Sequence, residues 1–142
     1  MRSMALDVGD KRIGVAMSDP LGIIVTPSTV IQRQSLAKDL AEILRVASEN
    51  DVERIIVGNP ISMDGIEREQ AQRVQRFSAL LGEQTPIPIT LWDERLSTVE
   101  AKRRLRESGS SARKRAAMVD SVAAAVLLQS YLDSLGLPPL EY

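Results

Sequence analysis

The chain has 142 residues, a net charge of −1 and 44% hydrophobic residues, enough for one buried core but not for a second catalytic lobe. It contains no Cys and no His, which excludes disulfides, cysteine or histidine zinc sites and nucleophile–histidine pairs. Any chemistry must therefore come from carboxylates, lysines, hydroxyls or a metal held by oxygen. No apolar run approaches a membrane span and no long apolar signal stretch begins the chain, so we expect a cytoplasmic protein.

The first quarter of the chain predicts three strands without an intervening helix. Residues 4–7 and 13–17 are strand-like runs separated by a turn that contains Gly9, a pattern typical of a hairpin. We expect Gly9 to be needed for a positive φ angle in that turn. The third run, residues 23–31, contains Pro27, which favours an edge strand, a bulge or a kink.

The rest of the chain alternates helices and strands. Helical spacing of apolar residues behind Ser35, a plausible N-cap, predicts the first helix. The later elements are a strand at 54–58, a helix at 67–81 ending at Gly82, a strand at 87–92, and helices at 98–106 and 116–134. This order predicts an α/β fold with a mixed five-stranded sheet, three antiparallel strands followed by a parallel extension, flanked by helices. We assign one domain to residues 1–135 and a tail to residues 136–142.

Acidic side chains stand at three places where apolar patterns predict burial or a ligand crevice. Asp7 ends the first strand. A half-buried acid there needs a partner or a bound metal, and the alternative is that Asp7 only helps to form the turn. Asp93 and Glu94 follow the fifth strand, and only one of them can face a crevice because side chains alternate along a strand. Asp120 lies on the apolar face of the last helix, near its predicted start. For Asp93, Glu94 and Asp120 the alternative is stabilisation of a helix N-terminus through its dipole.

Three carboxylates from three separate elements can hold a divalent metal, because Mg²⁺ and Mn²⁺ prefer oxygen ligands. Two such ions about 4 Å apart can activate water and stabilise the leaving oxygen in phosphodiester hydrolysis without histidine. The acids and the composition therefore both favour metal-dependent phosphodiester hydrolysis.

Basic residues are concentrated at 102–115, which holds seven of the chain's eighteen Lys and Arg residues. On a near-neutral protein such a strip predicts a directed face for a polyanion, the alternative being a solvated helix surface. The Gly-Ser-Ser break at 109–111 predicts a flexible basic loop before the helix of Asp120, and we expect this loop to close over substrate. The candidate substrate-binding residues are Lys11, Arg12, Arg95, Arg113, Lys114 and Arg115. Arg95 is equally open to a structural ion pair.

Four stretches in order span most of the chain: LDVGDKRIGVAMSD at 6–19, IVGNPISMDG at 56–65, WDERLSTVEA at 92–101 and VDSVAAAVLLQSYL at 119–132. Together they resemble the YqgF, or RuvX, family of pre-16S ribosomal RNA nucleases, related in fold to RNase H and Holliday-junction resolvases. The resemblance implies an RNase H-like fold and a metal-dependent nuclease. It also implies that the catalytic residues and the ligands of Mg²⁺ or Mn²⁺ are Asp7, Glu94 and Asp120, with Asp93 in support.

The chain departs from the pattern of many RNase H-like nucleases at the fourth acid. Asn59 and Ala124 stand at places where that acid often lies, and Asp10 adds negative charge near Asp7. One-metal and two-metal sites therefore both remain open.

The leading functional hypothesis is an endonuclease for structured RNA that processes the 5′ end of pre-16S ribosomal RNA. The alternatives are a Holliday-junction resolvase-like DNA endonuclease and a non-catalytic nucleic-acid or ribosome-assembly binder. A phosphate-binding lobe like those of actin and sugar kinases is disfavoured, because nucleotide binding there needs a second lobe. We expect a monomer or a weak homodimer with no membrane partner.

Overall fold

The computed structural model of the protein describes residues 1–60, 68–93 and 112–136. The strands are β1 (Ser3–Val8), β2 (Arg12–Ser18), β3 (Val25–Gln32), β4 (Arg54–Asn59) and β5 (Ile89–Asp93). The helices are α1 (Leu36–Glu49), α2 (Arg68–Glu83) and α3 (Ala112–Ser134). Within these ranges no helix is long and apolar enough to cross a membrane. The predicted helix at 98–106 and nearly all of the predicted tail lie outside the described residues.

The five strands form one mixed sheet in the order β3-β2-β1-β4-β5. β1 pairs antiparallel with β2, and β2 with β3, whereas β1 with β4 and β4 with β5 are parallel. The chain leaves the edge strand β3 through α1 and returns to the sheet as β4, beside β1, and α2 forms the crossover between the parallel neighbours β4 and β5. The predicted antiparallel start and parallel extension are confirmed.

β3 is an edge strand, as Pro27 predicts. Its register with β2 shifts between Val15 and Ala16, where Thr29 and Pro27 are the successive partners and Ser28 has none. Proline cannot donate a hydrogen bond to a ladder, so it is accommodated beside a bulge on the outer strand.

The two faces of the sheet carry different packing partners because side chains alternate along each strand. On β1, Met4, Leu6 and Val8 point towards α1 and α2 and belong to the larger core. Ala5 points the other way and packs with apolar residues of α3 in a second core. Asp7, two residues after Ala5, therefore lies on the α3 face.

Ser35 begins α1 as predicted. Its backbone is extended, and its side-chain oxygen accepts a hydrogen bond from the Lys38 N–H at 3.2 Å. The cap satisfies one of the backbone donors that a helix N-terminus leaves unpaired. The predicted start of α1 is thus confirmed.

The boundaries of two helices differ from their predictions. α2 continues through Gly82 to Glu83, and α3 begins at Ala112 rather than at residue 116. The prediction that Arg113, Lys114 and Arg115 lie in a flexible, closing loop is therefore wrong. The sequence 112–117 (ARKRAA) consists of strong helix formers, so the helix extends through it.

The earlier start of α3 changes the interpretation of Asp120. The residue is the ninth of the helix, more than two turns from the N-terminus. A helix dipole acts mainly within the first turn, so it does not account for this acid. Asp120 needs another partner.

α3 approaches β2 most closely at Gly14. A Cβ atom built on Gly14 would lie 2.9 Å from the Asp120 Cβ and would overlap the Asp120 carbonyl group. Cβ atoms essentially never approach other heavy atoms so closely, which means that only glycine fits at this crossing.

We predict that Gly14→Ala lowers the free energy of unfolding by about 2–3 kcal/mol or more, because the helix or the strand must shift to accept the methyl group. Gly82→Ala is the matched control. Its Cβ would meet nothing nearer than Ile89 Cγ1 at 4.0 Å, and alanine in a helix gains about 0.5–1 kcal/mol over glycine. Urea denaturation of both variants measures the difference, and a Gly14→Ala variant as stable as the parent would contradict the close crossing.

Candidate functional site

Two of the predicted acids meet on the α3 face of the sheet. Asp7 is half-buried near the carboxyl end of β1 and is paired with Gly14 of β2. Gly14 in turn contacts the backbone of Asp120 in α3. Residues directly opposite in an antiparallel pair have Cα atoms about 4.5–5.5 Å apart, so the three residues form one compact group.

Arg12 joins this group through an ion pair. Its Nε donates a hydrogen bond to Asp120 Oδ2 at 2.8 Å. Arg12 is two residues before Gly14 on β2 and so projects from the same face. The Arg12 and Asp120 side chains are 44% and 24% exposed, so the pair is accessible to solvent and to ligands.

The turn between β1 and β2 does not have the predicted geometry. Gly9 is absent from the described residues with positive φ, so the prediction of that angle is wrong. The turn instead needs glycine for space, because a Cβ on Gly9 would lie 2.9 Å from the Arg12 carbonyl oxygen. The Gly9 N–H donates to that same oxygen at 2.9 Å, and Lys11 is exposed at the tip.

Arg33 holds this turn in place, a role that the sequence did not predict. Its Nη1 donates to the Gly9 carbonyl oxygen at 2.9 Å and its Nε to Asp39 Oδ2 at 3.0 Å. Asp39 is 3% exposed and also accepts from the Gln34 N–H at 2.9 Å. No local sequence signal identifies Arg33, because the Gly9 carbonyl that it holds lies 24 positions earlier in the chain.

Asp10 does not direct its charge towards Asp7. Its carboxylate is 74% exposed and lies 3.5 Å from Nη1 of Arg73 in α2, on the other side of the sheet. The expected crowding of negative charge at Asp7 is therefore relieved by a neighbouring arginine.

Asp93 is on the opposite face from Asp7. Trp92 packs against the core beneath α3, so its neighbour Asp93, paired with Asn59, faces the α1 and α2 side. The supporting role of Asp93 stays a prediction. Asn59 Oδ1 is buried and accepts no hydrogen bond from any described residue.

Several predicted site residues lie beyond what the structure describes. Glu94 and Arg95 are outside the described residues. Arg113, Lys114 and Arg115 are described only as helical backbone in the first turn of α3. Their assignments, like those of Asp7, Asp120, Lys11 and Arg12, stay predictions.

The sequence matches the family described as "RuvX: Holliday junction resolvase" over residues 1–134. The chain belongs to the RuvX family. Similar family proteins include one from Thermoanaerobacter pseudethanolicus, 50% identical over 94% of this chain and 97% of its own length. Another, from Desulforamulus reducens, is 48% identical over 94% of this chain and 98% of its own length. Both are named "Putative pre-16S rRNA nuclease".

Solved structures confirm the RNase H-like fold of this RuvX protein. Thermus thermophilus RuvC in complex with a Holliday junction substrate superposes with a TM-score of 0.62 over 96% of each chain, at 14% identity. The fowlpox virus resolvase, in complex with Holliday junction DNA, gives 0.59 over 95% of this chain and 99% of its own, at 11% identity. At such identities the likeness establishes the fold alone.

The donor chemistry of the RuvX site fits a hard divalent cation. Asp7 and Asp120 supply carboxylate oxygens from two elements on one face, beside a solvent-accessible arginine. No group of three acidic side chains converges within the described ranges, and Glu94, the third predicted ligand, is not among them. The described part thus provides two oxygen-bearing side chains of the predicted set.

We predict that Arg12→Ala changes the free energy of unfolding by less than about 1 kcal/mol, because ion pairs this exposed contribute little. Urea denaturation measures the change, and Arg45→Ala, which removes another exposed ion-paired arginine, is the control. A loss above about 2 kcal/mol for Arg12→Ala alone would show that Asp120 is present for structural pairing.

Proposed function

We propose that this RuvX protein is a metal-dependent endonuclease that hydrolyses phosphodiester bonds in structured RNA, and that it processes the 5′ end of pre-16S ribosomal RNA. The observation that carries the proposal is the grouping of Asp7, Asp120 and Arg12 around Gly14. The names of the family relatives support the RNA substrate.

In this proposal the acids hold the metal and the basic residues hold the substrate. Asp7, Glu94 and Asp120 would hold Mg²⁺ or Mn²⁺. When bound, the metal supplies an activated water and stabilises the charge on the leaving oxygen. In the overall hydrolysis one water is divided across the P–O bond that breaks: its hydroxyl group would go to phosphorus and its other proton to the leaving oxygen.

Arg12 has two alternative partners in this reaction. Without substrate it donates to Asp120 Oδ2 and neutralises part of the charge at the site. A phosphodiester is also an oxyanion and can accept the same Nε–H, so Arg12 could turn from the carboxylate to the phosphate and leave Asp120 to hold the metal. The weak, accessible ion pair permits this exchange at small cost.

A Holliday-junction resolvase-like DNA endonuclease is the second candidate. The family description and the junction complexes of the two similar folds favour it. The same acids and the same phosphate-binding arginine would serve either substrate, so cleavage assays must include both nucleic acids.

We predict that Asp120→Asn lowers the rate of Mg²⁺- or Mn²⁺-dependent cleavage of a pre-16S RNA fragment by about 100-fold or more, equivalent to about 2.7 kcal/mol of activation free energy. The neutral amide loses the charge that holds the cation. Asp133→Asn is the matched control, because Asp133 is an exposed acid of the same helix, bonded to Gln129.

Cleavage by Asp120→Asn at the parental rate would rule out the assigned acid. A synthetic four-way DNA junction cleaved in preference to the RNA would favour the resolvase. Salt-sensitive binding without cleavage of either substrate would identify a non-catalytic binder.

We also predict that replacing Arg113, Lys114 and Arg115 together by alanine weakens RNA binding. It should reduce the magnitude of the negative slope of log K against log salt by about 2–3, since each of the three lost phosphate contacts removes about 0.7–0.9. Alanine keeps the helix propensity of this turn of α3. Mn²⁺ affinity should not change. Filter binding across a salt series measures the RNA affinity, and titration calorimetry measures the Mn²⁺ affinity. Equal losses of RNA and Mn²⁺ affinity would mean that these residues are structural.

A further inference from the structure

A second concave site lies on the other side of the β1–β2 turn from Asp7 and Asp120. This turn cavity has a volume of about 230 Å³ and lies between the turn, the start of α1 and α2. Its floor is apolar and three arginines line it together with one acid, Asp10. The floor residues are Val8, Leu36, Val74, Phe77 and Leu80.

We propose that the turn cavity binds one unpaired nucleotide of the substrate strand, next to the phosphodiester that is cleaved. The inference rests on the proposed nuclease function and specifies its substrate as structured RNA with a single-stranded extension. The apolar floor receives the base, and the arginines at the rim receive the phosphate.

The charge of the turn cavity favours an anionic ligand. Arg33, Arg73 and Arg76 line it against the single acid Asp10, in a protein whose net charge is −1. Arg33 is fixed by Asp39, so it forms a rigid wall. Arg73 and Arg76 are exposed and can turn towards a phosphate.

The existing partners of Arg73 do not prevent this. Its distances to Asp10 and Glu69 are 3.5 Å and 3.9 Å, and all three side chains are well exposed. Such pairs contribute little, and a phosphate offers a stronger, charge-assisted hydrogen bond.

The floor of the turn cavity contains one apolar side chain that is exposed to solvent and that a bound base would cover. Leu36, the first residue of α1, is 43% exposed, although polar residues are common at a helix start. The Phe77 ring is buried and covered by the Arg33 guanidinium at 5.4 Å, so it offers no face for stacking. A base would therefore pack against aliphatic side chains.

The turn connects the cavity with the candidate site. Gly9 and Asp10 line the cavity, whereas Arg12, at the other end of the same turn, reaches Asp120 on the opposite face. The Gly9 N–H and Arg12 carbonyl are 2.9 Å apart, so the turn is narrow. A nucleic-acid strand held at Arg12 can cross it and place a neighbouring nucleotide in the cavity.

The size of the turn cavity selects an unpaired nucleotide. Its volume is below the roughly 300–1,000 Å³ of sites that enclose drug-sized ligands. This volume suits one base better than a base pair, so we expect the part of the substrate that enters to be single-stranded.

Two substitutions test the proposal without disturbing the fold. Arg76→Ala removes a rim charge from an exposed helical position. Leu36→Asp removes the exposed part of the floor and adds a negative charge, at a helix position where the dipole favours aspartate. Arg45→Ala, an exposed arginine of α1 outside the turn cavity, is the matched control.

The measurement is fluorescence anisotropy of two RNA hairpins in a chelator, so that binding is read without cleavage. One hairpin is blunt and the other carries a short single-stranded extension. We expect the parent protein to prefer the extended hairpin, and each turn-cavity variant to lose about tenfold affinity for it but not for the blunt one. Arg45→Ala should match the parent.

Equal affinity of the parent for both hairpins, or equal losses on both in the variants, would overturn the turn-cavity assignment and leave the nuclease proposal intact. Displacement of the extension by an acidic, leucine-containing peptide, but not by single-stranded RNA, would assign the turn cavity to a protein partner and would also overturn it. Selective binding of the extension without metal-dependent cleavage of either hairpin would instead contradict the nuclease.

Discussion

The close contact between α3 and β2 at Gly14 is the constraint on which the candidate site depends. Gly14 has no side chain, so the backbone of Asp120 can rest directly on the strand opposite Asp7. A helix lying on ordinary side chains would stand several ångströms further from the sheet. The acids of α3 and β1 would then be separated, and Arg12 would not reach Asp120 at 2.8 Å.

Apolar packing on both faces of the sheet fixes this crossing. Ala124 is fully buried beside Ala5 and Ala16, and these small residues continue the close approach of α3 away from Gly14. An acid at Ala124 would have to be buried in this core. Ala124 stands where many RNase H-like nucleases have a fourth acid. In this protein it instead helps to hold Asp120 in place.

Three of the acids near the β1–β2 turn each have an arginine partner. Asp120 is paired with Arg12, Asp39 with Arg33 and Asp10 with Arg73. The buried pair of Arg33 and Asp39 is structural, because Arg33 also holds the Gly9 carbonyl. The two exposed pairs lie on opposite faces, where a phosphate can replace the carboxylate. This difference in burial separates the fixed part of the turn from the parts proposed to bind substrate.

The sequence by itself determined the sheet and proposed the acid set. Local patterns were sufficient for the hairpin, the Pro27 edge strand and the Ser35 cap, because each depends on neighbours within a few residues. The composition, without His or Cys, left oxygen ligands as the available metal chemistry. The family motifs selected Asp7, Glu94 and Asp120 as the candidate set.

Only the tertiary structure decided which of these residues lie together. It assigned Gly14 to a helix crossing, Arg12 to Asp120 and Arg33 to the turn, through contacts that span up to 108 positions of sequence. It also moved the start of α3 into the basic segment, which removed the helix dipole as an explanation for Asp120. Long-range contacts depend on how elements pack and not on local propensity, so a single sequence carries no direct signal for them.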